Sequence, residues 1–176
     1  IAGGKSAAQL ETKTVAQMAQ ELSAEISAHS EISAIHPERH CISANGQEVA
    51  YSRLVLAQGA DPIRLPLQGD GADAVLSVNN LDDYARFRAV LEGKKQVAIL
   101  GGGLIGCEFA NDLLAGGFSV DVINPGTRPL SALLPAEASL KLQEALGKQG
   151  VRWHFGVKAE AVEHSGNALR LKLYDG

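Results

Sequence analysis

Val97-Ala98-Ile99-Leu100-Gly101-Gly102-Gly103-Leu104-Ile105-Gly106-Cys107-Glu108-Phe109-Ala110 is the stretch whose reading decides the fold. Four apolar residues run into glycines spaced Gly101-x-Gly103-x-x-Gly106, and a helical pattern opens at once through Leu104, Ile105, Phe109, Leu113 and Leu114. The order is strand, tight turn, helix. Gly101 permits a sharp turn after the strand, Gly103 has no side chain to keep a pyrophosphate off the backbone, and Gly106 lets the helix pack closely on the sheet. A pyrophosphate held there meets the unpaired N–H groups and the positive end of the helix dipole. Glycine-rich turns are common in ordinary strand-helix units, so the flanks matter. Gly116-Gly117 stops the helix and Ser119-Val120-Asp121-Val122-Ile123 forms a second strand, which predicts the βαβ start of a dinucleotide-binding fold.

Working outward, Asn80 is placed to cap a helix with Leu81, Tyr84, Phe87 and Leu91 on one face and Asp82 and Asp83 in its first turn. That helix ends at Gly93, before Lys94-Lys95, a solvated pair. Downstream, Asn124 to Pro129 form a loop, a helix runs from about Pro135 to a stop at Gly150, and Val151, Trp153 and Phe155 alternate as a strand. Trp153 reads as sheet packing. Val157 to Tyr174 reads as a hairpin turning at Gly166-Asn167, and the closing Asp175-Gly176 as a further turn whose return strand lies outside the chain.

The N-terminal part has a different rhythm. Residues Ile1 to Lys13 read as loop, Thr14 as the cap of a helix carrying Val15, Met18, Ala19 and Leu22, and Met18 as core filler. Ile26, Ile32 and Ile35 mark extended segments, Pro37-Glu38-Arg39 a turn, and Asn45-Gly46 a type I′ hairpin between two short strands. Arg53 to Ala57 reads as a buried apolar strand, followed by an extended Asp61 to Pro66. Helix, meander and strand do not continue a Rossmann alternation, so residues 1–77 read as the back half of another unit.

Composition excludes several functions. With 176 residues, 45% hydrophobic and 20% charged, the chain can bury a core. A net charge of -4 gives no electrostatic footprint for nucleic acid or an anionic membrane, and no apolar run reaches the ~20 residues of a membrane span. Cys41 and Cys107 form no Cys-x-x-Cys pair, which argues against a redox dithiol and fits a reducing cytoplasm. Cys107 reads as a small packed residue. His36, His40 and Cys41 lack the spacing of a closed zinc site, so no metal is expected. Where an acid usually binds the adenine-ribose 2′-hydroxyl, at the end of the second strand, stands Asn124; Arg128 is the lone nearby cation. NAD is favoured over NADP.

Three stretches resemble the FAD-dependent pyridine nucleotide-disulfide oxidoreductases, and within them the rubredoxin reductases: Gly101 to Leu113, Leu81 to Arg88, and Leu54 to Arg64. The resemblance implies an α/β fold of two nested Rossmann-like domains, FAD-binding and NAD(P)-binding, both incomplete here. Residues 1–77 match part of the FAD domain and 78–176 the NAD domain, which makes the chain an internal piece. By this resemblance Gly101, Gly103, Leu104, Ile105 and Gly106 hold the NADH pyrophosphate, Asn124 occupies the ribose-selecting position, and Glu108 faces flavin and nicotinamide. Ile32 contacts the FAD adenine through its backbone, and Ala57-Gln58-Gly59 matches the domain crossover, with Gln58 in place of the usual Thr. The implied activity passes electrons from NADH through FAD to rubredoxin, and no general acid, base or nucleophile is assigned in this segment. Alternatives within the superfamily are an NADH oxidase, an oxygenase-type ferredoxin reductase and a CoA-disulfide reductase. An alternative of another class is a non-catalytic dinucleotide-binding module.

Overall fold

The computed structural model describes residues 1–174. The Asp175-Gly176 turn lies outside them. The described chain divides into two units, residues 11–61 and residues 1–10 with 62–174.

In the unit of residues 11–61, α2 (Val15–Leu22, after α1 below) is capped reciprocally: Thr14 accepts from the Gln17 backbone N–H, and the Gln17 side chain accepts from Thr14. Its apolar stripe forms, but no residue of it is buried, and Met18 is 37% exposed instead of filling a core. Local capping suffices to start the helix; nothing in this unit covers its face. β1 (Ile32–His36), β2 (Cys41–Ala44) and β3 (Gln47–Ala50) make the antiparallel meander. Asn45 and Gly46 both take positive φ, as a type I′ turn requires. The strand expected at Arg53 to Ala57 does not form: Val55 is 83% exposed and the segment pairs with no strand. A buried parallel strand exists only between neighbours that complete its hydrogen bonds, and this unit supplies none.

The larger unit holds the rest. Within the N-terminal stretch read as loop, α1 (Ala7–Leu10) forms a single turn, because Ser6 and Gln9 cap each other through side chain and backbone. α3 (Leu81–Leu91) starts where Asn80 accepts from the Asp83 N–H at 2.8 Å, and it buries Phe87 and Leu91. β4 (Gln96–Leu100), α4 (Leu104–Ala115), β5 (Ser119–Asn124), α5 (Ala136–Gln149) and β6 (Val151–Phe155) then alternate. The three strands are parallel in the order β4-β5-β6, which is the 3-2-1 half of a Rossmann sheet.

Val120, Val122 and Val151 face Cys107, Ala110 and Leu113 of α4 and Leu146 of α5, with Phe87 set edge-on to Phe109 at 5.5 Å. Of the apolar pattern read for α4, Leu113 is buried and Phe109 and Leu114 pack against the core, whereas Leu104 and Ile105 are exposed and the small Cys107 and Ala110 take the inward places. Trp153 stacks on Phe155 and donates from its indole N–H to the Gln143 carbonyl. β7 (Lys158–Ser165) and β8 (Ala168–Tyr174) form the expected hairpin. Lys94 is not simply solvated: its ammonium donates to the Asn167 carbonyl at the hairpin turn, a contact 73 residues apart in sequence.

Candidate dinucleotide-binding site

The site grows from the carboxyl end of β4. Gly101 leaves the strand at φ +116°, in the left-handed region open to glycine, and its N–H donates to the Ile123 carbonyl at 2.8 Å. Gly103 is the N-cap of α4, and nothing stands within 4 Å of where its Cβ would be. That open side is what a pyrophosphate needs to reach the first-turn amides, which have no acceptor within the helix. Gly106 faces inward, where a Cβ would come 2.0 Å from the Gly101 carbonyl oxygen. The helix can therefore start this close to the strand only with glycine there.

Asn124 ends β5 with its side chain engaged by the protein. Its Oδ1 accepts from the Gly102 N–H at 3.2 Å, and its Nδ2 donates to the carbonyls of Gly126 and Arg128 at 3.3 and 3.1 Å. The Gly102 carbonyl accepts from the Leu130 N–H at 2.8 Å, so Gly102 is tied through both its backbone groups to the 124–130 loop. Sequence reading explained three of the glycines and passed over Gly102. Its signal was Asn124 itself, since asparagine at the start of a loop tends to bond nearby backbone.

A hollow of about 180 Å³ opens over the turn, lined by Gly102, Gly103, Asn124, Arg128, Leu130 and Leu133 among others. The Arg128 Nε is buried beside it without a hydrogen-bond partner. A larger hollow of about 500 Å³ lies on exposed α2 and gathers only Thr12, Lys13, Gln17, Gln20 and Glu21, with no feature of a nucleotide site.

Leu104 and Ile105 are exposed at the mouth of the turn. Glu108 is exposed too, on the second turn of α4, beyond the first turn where a carboxylate best complements the dipole. Cys107 is buried, its thiol directed at the Gly102 carbonyl, and burial pushes its pKa up. This is an inert packed thiol.

The residues matched to FAD lie in the other unit. Ile32 is on β1, an edge strand paired only with β2, and Gly59 has φ +74° with nothing within 4 Å of a Cβ position. Ala57 and Gly59 both lie in the exposed segment that forms no strand. Among the described residues no group of His, Cys, Asp or Glu is arranged for a metal, and no helix is long and apolar enough to cross a membrane. His36 instead hydrogen-bonds the Ser43 hydroxyl.

Residues 2–176 match the model of the family described as pyridine nucleotide-disulphide oxidoreductase. The chain belongs to that family. Among this family's members it is 45% identical over 174 residues to rubredoxin-NAD(+) reductase of Alcanivorax borkumensis, covering 98% of this chain and 46% of that protein. It is 42% identical to rubredoxin-NAD(+) reductase of Acinetobacter baylyi, over 92% of this chain and 43% of that one. The fold matches the ferredoxin reductase for the CYP199A2 system of Rhodopseudomonas palustris with a TM-score of 0.85 and 27% identity, over 96% of this chain and 42% of that one. The chain thus spans less than half the length of these oxidoreductases. The α/β class expected from the glycine turn is the class found.

Proposed function

We propose that the full-length protein is an FAD-dependent NADH reductase that delivers electrons to rubredoxin. The observation that carries this reading is the open outer face of Gly103 above the start of α4, in a chain 45% and 42% identical to two rubredoxin-NAD(+) reductases. In this proposal residues 78–176 hold NADH on Gly101, Gly103, Leu104, Ile105 and Gly106, with Asn124 at the end of β5 and Glu108 toward the nicotinamide. Residues 1–77 contribute to the FAD domain through Ile32, Ala57 and Gly59. Bound flavin supplies the conversion of a two-electron donor into single-electron delivery. This chain's part is to bind and orient the coenzyme.

A reducing, cytoplasmic setting fits the two unpaired buried cysteines. NADH is favoured over NADPH because Arg128 stands without a second arginine. The likeness to a ferredoxin reductase favours a ferredoxin as the second acceptor to try.

The test is anaerobic addition of NADH to the purified full-length protein. A yellow protein that bleaches on NADH supports the proposal. A colourless protein that binds NADH would instead make it a non-catalytic dinucleotide-binding module.

A further inference from the structure

We infer that Asn124 is a positioning residue for the coenzyme, a clasp that fixes the glycine turn for NADH and NADPH alike instead of sorting the two at the 2′ position. The inference rests on the reading above that this turn binds a pyridine dinucleotide. It goes beyond that reading by giving Asn124 a role other than the ribose selection expected from its place in the sequence.

The side-chain inventory carries the argument. A carboxamide has two N–H donors and one acceptor oxygen. Both donors of Asn124 point into its own loop, at the Gly126 and Arg128 carbonyls, and the oxygen accepts from Gly102. No donor remains for a 2′-phosphate, at most one lone pair remains for a ribose hydroxyl, and no charge is present to repel a phosphate.

The clasp reaches the ends of all three parallel strands. Gly102 follows β4, Asn124 ends β5, and the Gly126 carbonyl also accepts from the Gly156 N–H just beyond β6 at 3.2 Å. Ligands of open α/β sheets sit outside these carboxyl ends. The fit is tight on both sides: a Cβ on Gly102 would meet Asn124 Cγ at 3.2 Å, and one on Gly126 would meet its Nδ2 at 3.2 Å. A side chain on Gly102 would therefore have to displace Asn124 by a few tenths of an ångström. What the clasp shapes is the turn under the pyrophosphate, the part that both coenzymes share.

The test uses the full-length flavoprotein and two variants, Asn124→Asp and Gly102→Ala. NAD+ and NADP+ are titrated by calorimetry, and KM and kcat are measured with NADH and NADPH. Asn124→Asp keeps the shape and the bond to Gly102 but turns an oxygen toward two carbonyl oxygens. The expected result is a loss of about tenfold in affinity for both coenzymes, the weight of one or two hydrogen bonds. Their ratio stays within about twofold and kcat at saturation is kept, since the pyrophosphate contact is common to both.

Gly102→Ala, which disturbs the same contact from the other side, is expected to give the same pattern and decides the matter if the aspartate variant does not fold. Asn124→Asp sharpening preference for NADH, or leaving both affinities unchanged, overturns the clasp while the coenzyme site stands. Unmodified protein that binds neither coenzyme overturns the site itself.

Discussion

Gly106 and Gly101 approach so closely that a Cβ on Gly106 would lie 2.0 Å from the Gly101 carbonyl oxygen. That contact is backbone, so it cannot swing aside. Gly106→Ala is expected to push the start of α4 off the sheet and to cost about 1–3 kcal/mol, as overpacking does. Thermal unfolding of the full-length protein checks it; an unchanged Tm would show that the turn relaxes freely.

Gly103 should behave in the opposite way. It is the N-cap of α4 with open space beside it, and serine is a better cap than glycine. Gly103→Ser is therefore expected to leave stability unchanged or raise it by a few tenths of a kcal/mol, because the hydroxyl can accept from a first-turn amide. It should still weaken coenzyme binding, because the same hydroxyl occupies the approach of the pyrophosphate. Parallel Tm and NAD+ titrations test the pairing, and affinity that is retained would remove the pyrophosphate from this turn.

Asp121 is the hub of a polar cluster across the sheet. It accepts from the Arg152 guanidinium, from Gln96 and from His154, and its side chain is 15% exposed. The hydrogen bonds from Arg152, then those from His154 and Gln96, hold its carboxyl well below the usual carboxylate range against the opposing effect of burial. A depressed folded pKa stabilises above the unfolded value of about 3.9 and is lost as pH falls through the folded one. Asp121→Asn should accordingly lower Tm at pH 7. The gap to the unmodified protein should stay constant down to about pH 5 and narrow below about pH 4. A gap independent of pH down to the acid limit would exclude ionisation of Asp121 as its source.

Ser139 is fully buried and its hydroxyl donates to the Pro129 carbonyl, which anchors the loop behind Arg128 to α5. Ser139→Ala strands that carbonyl, at a cost of about 1–3 kcal/mol. Chemical denaturation should show the loss. A Ser139→Cys variant restores the side-chain volume with only a weak S–H donor, so a loss that persists in it would identify the hydrogen bond, and not side-chain volume, as the cause.

Local chemistry was legible in the sequence wherever residues close in the chain decide the outcome. The glycine turn, the Asn80 and Thr14 caps, the Asn45-Gly46 hairpin and the β4-α4-β5-α5-β6 order all follow from spacing and turn preference. Missing were features set by distant partners. Arg53 to Ala57 has the composition of a strand, yet a strand needs neighbours. Met18 has the period of a core residue but no cover in its unit. The Lys94 contact with Asn167, the Asp121 cluster and the tie between Gly102 and Leu130 depend on register across strands and loops, which no local pattern encodes.

The most direct measurement of the central claim is the rate at which the full-length protein reduces rubredoxin with NADH, run beside a small dye acceptor and with NADPH as donor. Fast rubredoxin reduction driven by NADH is the predicted result. Dye reduction with no electron transfer to rubredoxin would contradict it and move the acceptor to another carrier.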